Sequence, residues 1–151
     1  MRTVCEAVQA RIRDIVRSEP DASRVLERAV SEIKAAMPAY TWVGIYLLQG
    51  DELVLGPFLG KPSPHPRIPV GRGICGLAAA EKQTIVVDDV GADERYLACS
   101  LDTRSAIVVP IVRDGRVVGE IDGDSDRTAA FGGRDRALLE WIAGLLAERM
   151  G

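Results

Sequence analysis

Two β-rich runs joined by the dipeptide Asp114-Gly115 constrain this chain more than any other feature of its sequence. Residues 106–112 read Ala-Ile-Val-Val-Pro-Ile-Val and residues 117–121 read Val-Val-Gly-Glu-Ile. Asp-Gly between two such runs favours the tight turn whose twist matches that of paired strands. An antiparallel hairpin is predicted here, with Asp122 and Asp124 finishing its second strand. A second hairpin is predicted upstream, where residues 42–48 (Trp-Val-Gly-Ile-Tyr-Leu-Leu) turn through Gly50-Asp51 into residues 52–58.

Helices flank these hairpins. Val4, Val8, Ile12, Ile15 and Val16 recur at helical spacing up to Pro20, and Asp21 is placed to cap a second helix carrying Val25, Leu26, Ala29, Val30, Ile33, Ala36 and Met37 up to Pro38. Residues 135–150 hold Leu138, Leu139, Trp141, Ile142, Leu145 and Leu146 at spacings of three to four, which predicts a closing helix. Between the hairpins, the glycine-rich residues 71–76 lead into a short helix over 77–82, and 84–87 reads as a short strand. Residues 61–69 contain four of the eight prolines, so an irregular, extended loop is expected there. Residues 88–103 are acidic, turn-rich and without period, and read as a loop with one helical turn around 95–98. The order of elements gives an α+β fold, an antiparallel sheet with helices packed against it, in a single domain spanning residues 1–151.

Composition narrows the function classes. The 151 residues are 47% hydrophobic and 27% charged, with a mean hydropathy of +0.06, as in an ordinary folded domain. A net charge of −3 argues against a dedicated binder of nucleic acid or anionic membranes. No apolar run approaches the ~18–20 residues of a membrane span, and residues 1–10 lack the apolar stretch of a secretion signal. The expected location is cytoplasmic and the expected partners are small molecules or proteins. The terminal helices offer an apolar stripe that serves equally a homodimer or an intramolecular fit.

The candidate chemistry rests on few residues. The three cysteines, Cys5, Cys75 and Cys99, are too few and too widely spaced for a disulfide framework or a zinc site. Cys75 lies beside Arg72 at the start of the short helix, and Cys99 follows Arg95 and precedes Arg104; positive potential or a helix N-terminus is what makes a thiol reactive. On composition alone, a cysteine is more often buried packing. Asp122 and Asp124 share a strand face, where two carboxylates can hold an ammonium group or supply a proton, although strand-end aspartates are more often solvated. Trp42 and Tyr46 also share a face, more often as core than as a ligand cage. With His65 as the single histidine, neither a multi-histidine metal site nor a Ser-His-Asp triad with a spare base is available.

Taken in order, Trp42-Val43-Gly44-Ile45-Tyr46, Leu55-Gly56-Pro57-Phe58-Leu59-Gly60, Gly71-Arg72-Gly73-Ile74-Cys75-Gly76, Ala98-Cys99, Val109-Pro110-Ile111 and Ile121-Asp122-Gly123-Asp124-Ser125 resemble the free methionine-R-sulfoxide reductases, a catalytic branch of the GAF fold. The resemblance implies a central antiparallel sheet with the N- and C-terminal helices on one face and a ligand pocket under loops on the other. It implies Cys99 as the attacking thiol and Cys75 as a pocket cysteine able to resolve it, with the two roles open to exchange. Trp42 and Tyr46 match pocket walls, and Asp122 and Asp124 match carboxylates that hold the substrate ammonium or protonate the departing oxygen. No bound cofactor or metal is implied; a thioredoxin-type dithiol is the external reductant. Two positions depart from the family pattern. His65 stands where the family has a further pocket cysteine, and Ala106 stands where it has a glutamate. A stand-alone GAF domain that binds a small molecule without catalysis is the alternative reading.

Overall fold

The computed structural model describes residues 3–96 and 102–151. Helix α1 (Val4–Ser18) begins at a capping box, in which the Thr3 hydroxyl accepts the Glu6 backbone N–H and the Glu6 carboxylate accepts the Thr3 backbone N–H. Helix α2 (Ala22–Ala36) is capped by the Asp21 carboxylate, as predicted. The two upstream strands, β1 (Trp42–Gln49) and β2 (Glu52–Leu59), form the expected hairpin, and β5 (Ser105–Arg113) pairs with β6 (Arg116–Ser125) across Asp114-Gly115. Helix α4 (Gly133–Ala147) closes the chain.

Three segments differ from the sequence expectation. Arg67–Pro69, inside the proline-rich loop, forms strand β3 on the edge of the sheet against β2. Proline is tolerated there because an edge strand has one side free of ladder bonds. Helix α3 spans Gly73–Glu81 and so starts inside the glycine-rich segment rather than after it, which puts Cys75 in its first turn. After β4 (Ile85–Val87), a 3-10 turn at Val90–Ala92 stands in the acidic loop, where no such turn is predicted from the sequence. The predicted turn's own residues fall partly beyond the described ones.

Among the described residues, six strands join one antiparallel sheet in the order β3-β2-β1-β6-β5-β4. Strand alternation divides the side chains between two cores. Val43 and Ile45 of β1, Ile107, Val109 and Ile111 of β5 and Ile121 of β6 pack under α1, α2 and α4. Trp42 and Tyr46 of β1 and Val108 of β5 face the other way, under α3, with Leu53, Ile68, Ile74, Cys75 and Ala78. The terminal helices thus lie on one face and the loops and α3 on the other, as the family resemblance implies. Among the described residues no helix is long and apolar enough to cross a membrane.

Candidate active site

Strand β6 carries the site. Its residues 120, 122 and 124 alternate with the core-facing Ile121, so Glu120, Asp122 and Asp124 all lie on the α3 side of the sheet. Cross-strand neighbours define what each carboxyl meets. Asp124 pairs with Trp42 and Ala106, Asp122 with Gly44 and Val108, and Glu120 with Tyr46 and Pro110. All three are buried, at 0% exposure for Glu120, 2% for Asp122 and 3% for Asp124. The solvated strand end that usually accounts for such aspartates is therefore not the situation here.

Helix α3 brings the thiol. The Cys75 Sγ donates to Asp122 Oδ2 at 3.5 Å, in the interior. Gly76 makes this approach possible, because a Cβ there would lie 2.5 Å from the Pro69 carbonyl oxygen. That contact holds the first turn of α3 against β3 and the loop at Gly71, whose N–H donates to the Gly76 carbonyl at 2.7 Å. Cys75, Asp122, Asp124, Ala106, Arg72 and Tyr96 are among the residues lining a small cavity of about 20 Å³. That is room for a water-sized molecule, so a larger ligand enters only when the wall side chains part.

The electrostatics follow from burial. Desolvation pushes the Asp122 carboxyl up to about 7, and the hydrogen bond from Cys75 partly offsets this. Burial, together with the charge of Asp122, also raises Asp124 and Glu120 well above the ordinary carboxylate range. A set of buried acids that keeps protons near neutral pH can donate them to a leaving oxygen and accept them from a thiol. Among the described residues no group of three or more His, Cys, Asp or Glu is placed to hold a metal ion.

The aromatic residues build the wall beside the acids. The Trp42 ring lies over Gly44, where a Cβ would come within 2.3 Å of it, and stacks on Phe58 with centroids 5.7 Å apart. Its indole N–H donates to the Lys61 carbonyl at 2.9 Å. The Tyr46 hydroxyl donates to the His65 carbonyl at 2.9 Å, so both aromatics tie β1 to the proline-rich loop. Trp42 and Tyr46 therefore flank the carboxylates without appearing in the cavity lining. Cys5 packs at the edge of the helical core, on the opposite side of the sheet.

Of the residues singled out in the sequence, Cys75, Asp122, Asp124, Trp42 and Tyr46 come together, and Cys99 lies outside the described residues. Glu120 is an addition. Its signal was the same period-two spacing that singled out the two aspartates, extended by one step.

The sequence pattern of the GAF domain matches residues 21–150. The free methionine-R-sulfoxide reductase of Escherichia coli is 41% identical over 105 residues, which is 70% of this chain and 63% of the relative, so the chain spans less than two thirds of that relative's length. The structure superposes on that of the free methionine-R-sulfoxide reductase of Neisseria meningitidis in complex with its substrate at a TM-score of 0.91 and 40% identity, covering 97% of this chain and 87% of that one. The Staphylococcus aureus enzyme in complex with substrate gives a TM-score of 0.90 at 32% identity, over 100% of this chain and 98% of its own. A sheet whose pocket side gathers Cys75, two aspartates and the Trp42–Tyr46 wall, together with these likenesses over nearly the whole chain, places the protein in the free methionine-R-sulfoxide reductase branch of the GAF domain family.

Proposed function

We propose that this protein reduces the R epimer of free methionine sulfoxide by thiol chemistry. The observation that carries the reading is the Cys75 thiol hydrogen-bonded to a buried acid whose carboxyl sits near 7, at the wall of a cavity that also reaches Asp124 and Arg72. A free amino acid is a zwitterion; Arg72 offers its carboxylate a cation, and a bound ammonium favours the ionised form of Asp124 and so draws it down from its raised value into an ion pair. Solved relatives holding their substrate support the same ligand class.

The chemistry balances without a bound cofactor. A cysteine sulfur attacks the sulfoxide sulfur, takes over its oxygen and becomes a sulfenic acid as methionine leaves. The proton displaced from the thiol ends on the transferred oxygen. A second cysteine then bonds to the oxidised sulfur, and its proton leaves with the hydroxyl as water. An external dithiol of the thioredoxin type returns two electrons and two protons to the disulfide. In this reading Cys99 attacks and Cys75 resolves, or the reverse, and Asp122 and Asp124 move protons to and from oxygen. Dependence on such a dithiol fits a reducing compartment, the cytoplasm. A homodimer through the terminal helices belongs to the same reading.

Ala106 favours a second reading, a GAF domain that binds a small molecule without turnover, since alanine beside Asp124 leaves the pocket one carboxylate short of the family pattern. One assay separates the two. With thioredoxin, its reductase and NADPH, the wild type is expected to consume free methionine-R-sulfoxide and spare the S epimer, while Cys99→Ser and Cys75→Ser each lose the disulfide-linked turnover. Wild-type turnover no greater than that of Cys99→Ser would leave only the binding reading.

A further inference from the structure

The cavity beside Cys75 holds no more than a water-sized molecule, and its walls are not equally able to yield. Cys75, Ala106, Val108, Asp122 and Asp124 form its inner side, and none of them is more than 8% exposed. They sit on β5, β6 and the first turn of α3, where the sheet ladder and the Gly76–Pro69 contact fix the backbone. Among the described residues that line the cavity, only Arg72, Gly73 and Tyr96 are not buried. Gly73 has no side chain, so the Arg72 guanidinium and the Tyr96 ring form the outer side. Arg72 enters no ion pair among the described residues, which leaves its charge available to a ligand. Tyr96 reaches the cavity from a stretch that is neither helix nor strand. The Val90 N–H donates to the Arg104 carbonyl at 2.8 Å and holds the start of this loop against the residues that lead into β5. The Asp93 carboxylate accepts the Arg95 backbone N–H at 2.9 Å and its guanidinium at 2.7 and 3.0 Å, and the Tyr96 N–H donates to the Asp93 carbonyl at 3.3 Å. This turn sets the half-buried Tyr96 ring on the pocket-side core. Its bonds are local to the loop, so the ring shifts without opening a sheet ladder.

We propose that Tyr96 is a specificity-determining residue of the reductase reaction, the outer wall that limits the site to an amino acid not extended through its carboxyl group. The proposal rests on the reductase reading. With the sulfoxide at the thiol on the inner side and the ammonium at Asp124, the substrate carboxylate points outward to Arg72, on the side that Tyr96 closes. A free carboxylate ends there against a cation. A peptide bond made through the same carboxyl group has to carry the chain on between the Arg72 and Tyr96 side chains. A dipeptide with glycine in that place keeps the ammonium and the sulfoxide and meets the same inner wall, so discrimination against it arises at the outer one. The Tyr96 ring rejects it by bulk, a clash built against the wrong ligand rather than a contact made to the right one. The hydroxyl is not needed for that, and phenylalanine serves equally.

The test compares two substrates, free methionine-R-sulfoxide and the dipeptide in which its carboxyl group is joined to glycine, in wild type, Tyr96→Phe, Tyr96→Ala and Tyr96→Val. The ratio of kcat/KM for the dipeptide to that for the free amino acid is expected to rise about tenfold in the alanine and valine variants and to keep its wild-type value in Tyr96→Phe. A general loss of activity cancels in this ratio, and the valine variant covers the case in which alanine fails to fold. Calorimetry with methionine and methionyl-glycine, neither of which is reduced, gives a second readout: wild type binds the free amino acid and not the dipeptide, and Tyr96→Ala binds both. A ratio unchanged in Tyr96→Ala and Tyr96→Val, a rise equally large in Tyr96→Phe, or equal binding of the two ligands to wild type overturns the proposal while leaving the reductase reading intact. Absence of wild-type turnover of the free sulfoxide overturns both.

Discussion

Burial of three acids on one strand face makes the stability of this protein run against the usual dependence on pH. A carboxyl raised in the folded state binds a proton that the unfolded chain releases near pH 4, so folding takes up protons between the unfolded and folded values. The sign follows directly. The contribution of Glu120, Asp122 and Asp124 is complete below about pH 4 and is lost as pH rises toward the folded values, about 7 for Asp122 and well above the ordinary carboxylate range for Glu120 and Asp124. Each group that keeps its proton costs about 1.4 kcal/mol per pH unit in that window. Urea unfolding is expected to show higher stability at pH 5 than at pH 7.5, with a shallower slope in Asp124→Asn; a flat or rising curve in the wild type would contradict it. The sequence made half of this legible. Period two tied Asp122 to Asp124, but it cannot say whether the shared face is covered. Glu120, flanked by Gly119 and Ile121, reads along the chain like any solvent-facing strand residue until the folded sheet is seen to bury it completely.

At the scale of elements, α3 decides whether the thiol reaches the acid. Apart from Ile74 and Leu77 its apolar residues are small, with Ala78 and Ala79 buried beside Cys75, and it makes no side-chain cap at Arg72. Its position therefore depends on close backbone packing. Glycine-rich stretches carry no periodic signal, which is why the sequence placed the helix start four residues late, and the prolines around the three-residue β3 made that edge strand read as loop. The two longer hairpins were legible because turn chemistry and β-branched runs agreed there. Gly76→Ala is expected to push the first turn of α3 away from the Pro69 carbonyl, at a cost of about 1–3 kcal/mol, and to separate Cys75 from Asp122. Gly144→Ala is the contrasting case. It lies in the interior of α4, where a Cβ meets nothing within 4 Å, and the better helix former should add up to about 1 kcal/mol. Urea midpoints measure both, and the alkylation rate of Cys75 should change in the first variant and not in the second.

Across the whole molecule, the sheet isolates the chemistry from the layer that joins the ends of the described chain. Its central pairing sets β1 beside β6, so the sheet closes only when distant segments meet, and the helices behind it come from both ends. The join is made by Arg149, just past α4. Its guanidinium donates to the Val16 and Glu19 carbonyls at 2.7 and 2.8 Å and to the Pro20 carbonyl at 3.1 Å. Val16 is in the last turn of α1, whose carbonyls a helix end leaves without intrahelical donors, and Glu19 is its C-cap. A charged donor serving several carbonyls is worth about 2 kcal/mol, and its planar fork suits acceptors set side by side in a way that a lysine ammonium does not reproduce. Arg149→Ala is expected to lose about that stability and Arg149→Lys to recover only part of it. Because α1 and α4 pack on the face opposite the carboxylates, the pH profile of turnover should stay where it is in both variants. A shifted profile would mean that the helical layer reaches the acids through the sheet, and that the two faces are not independent.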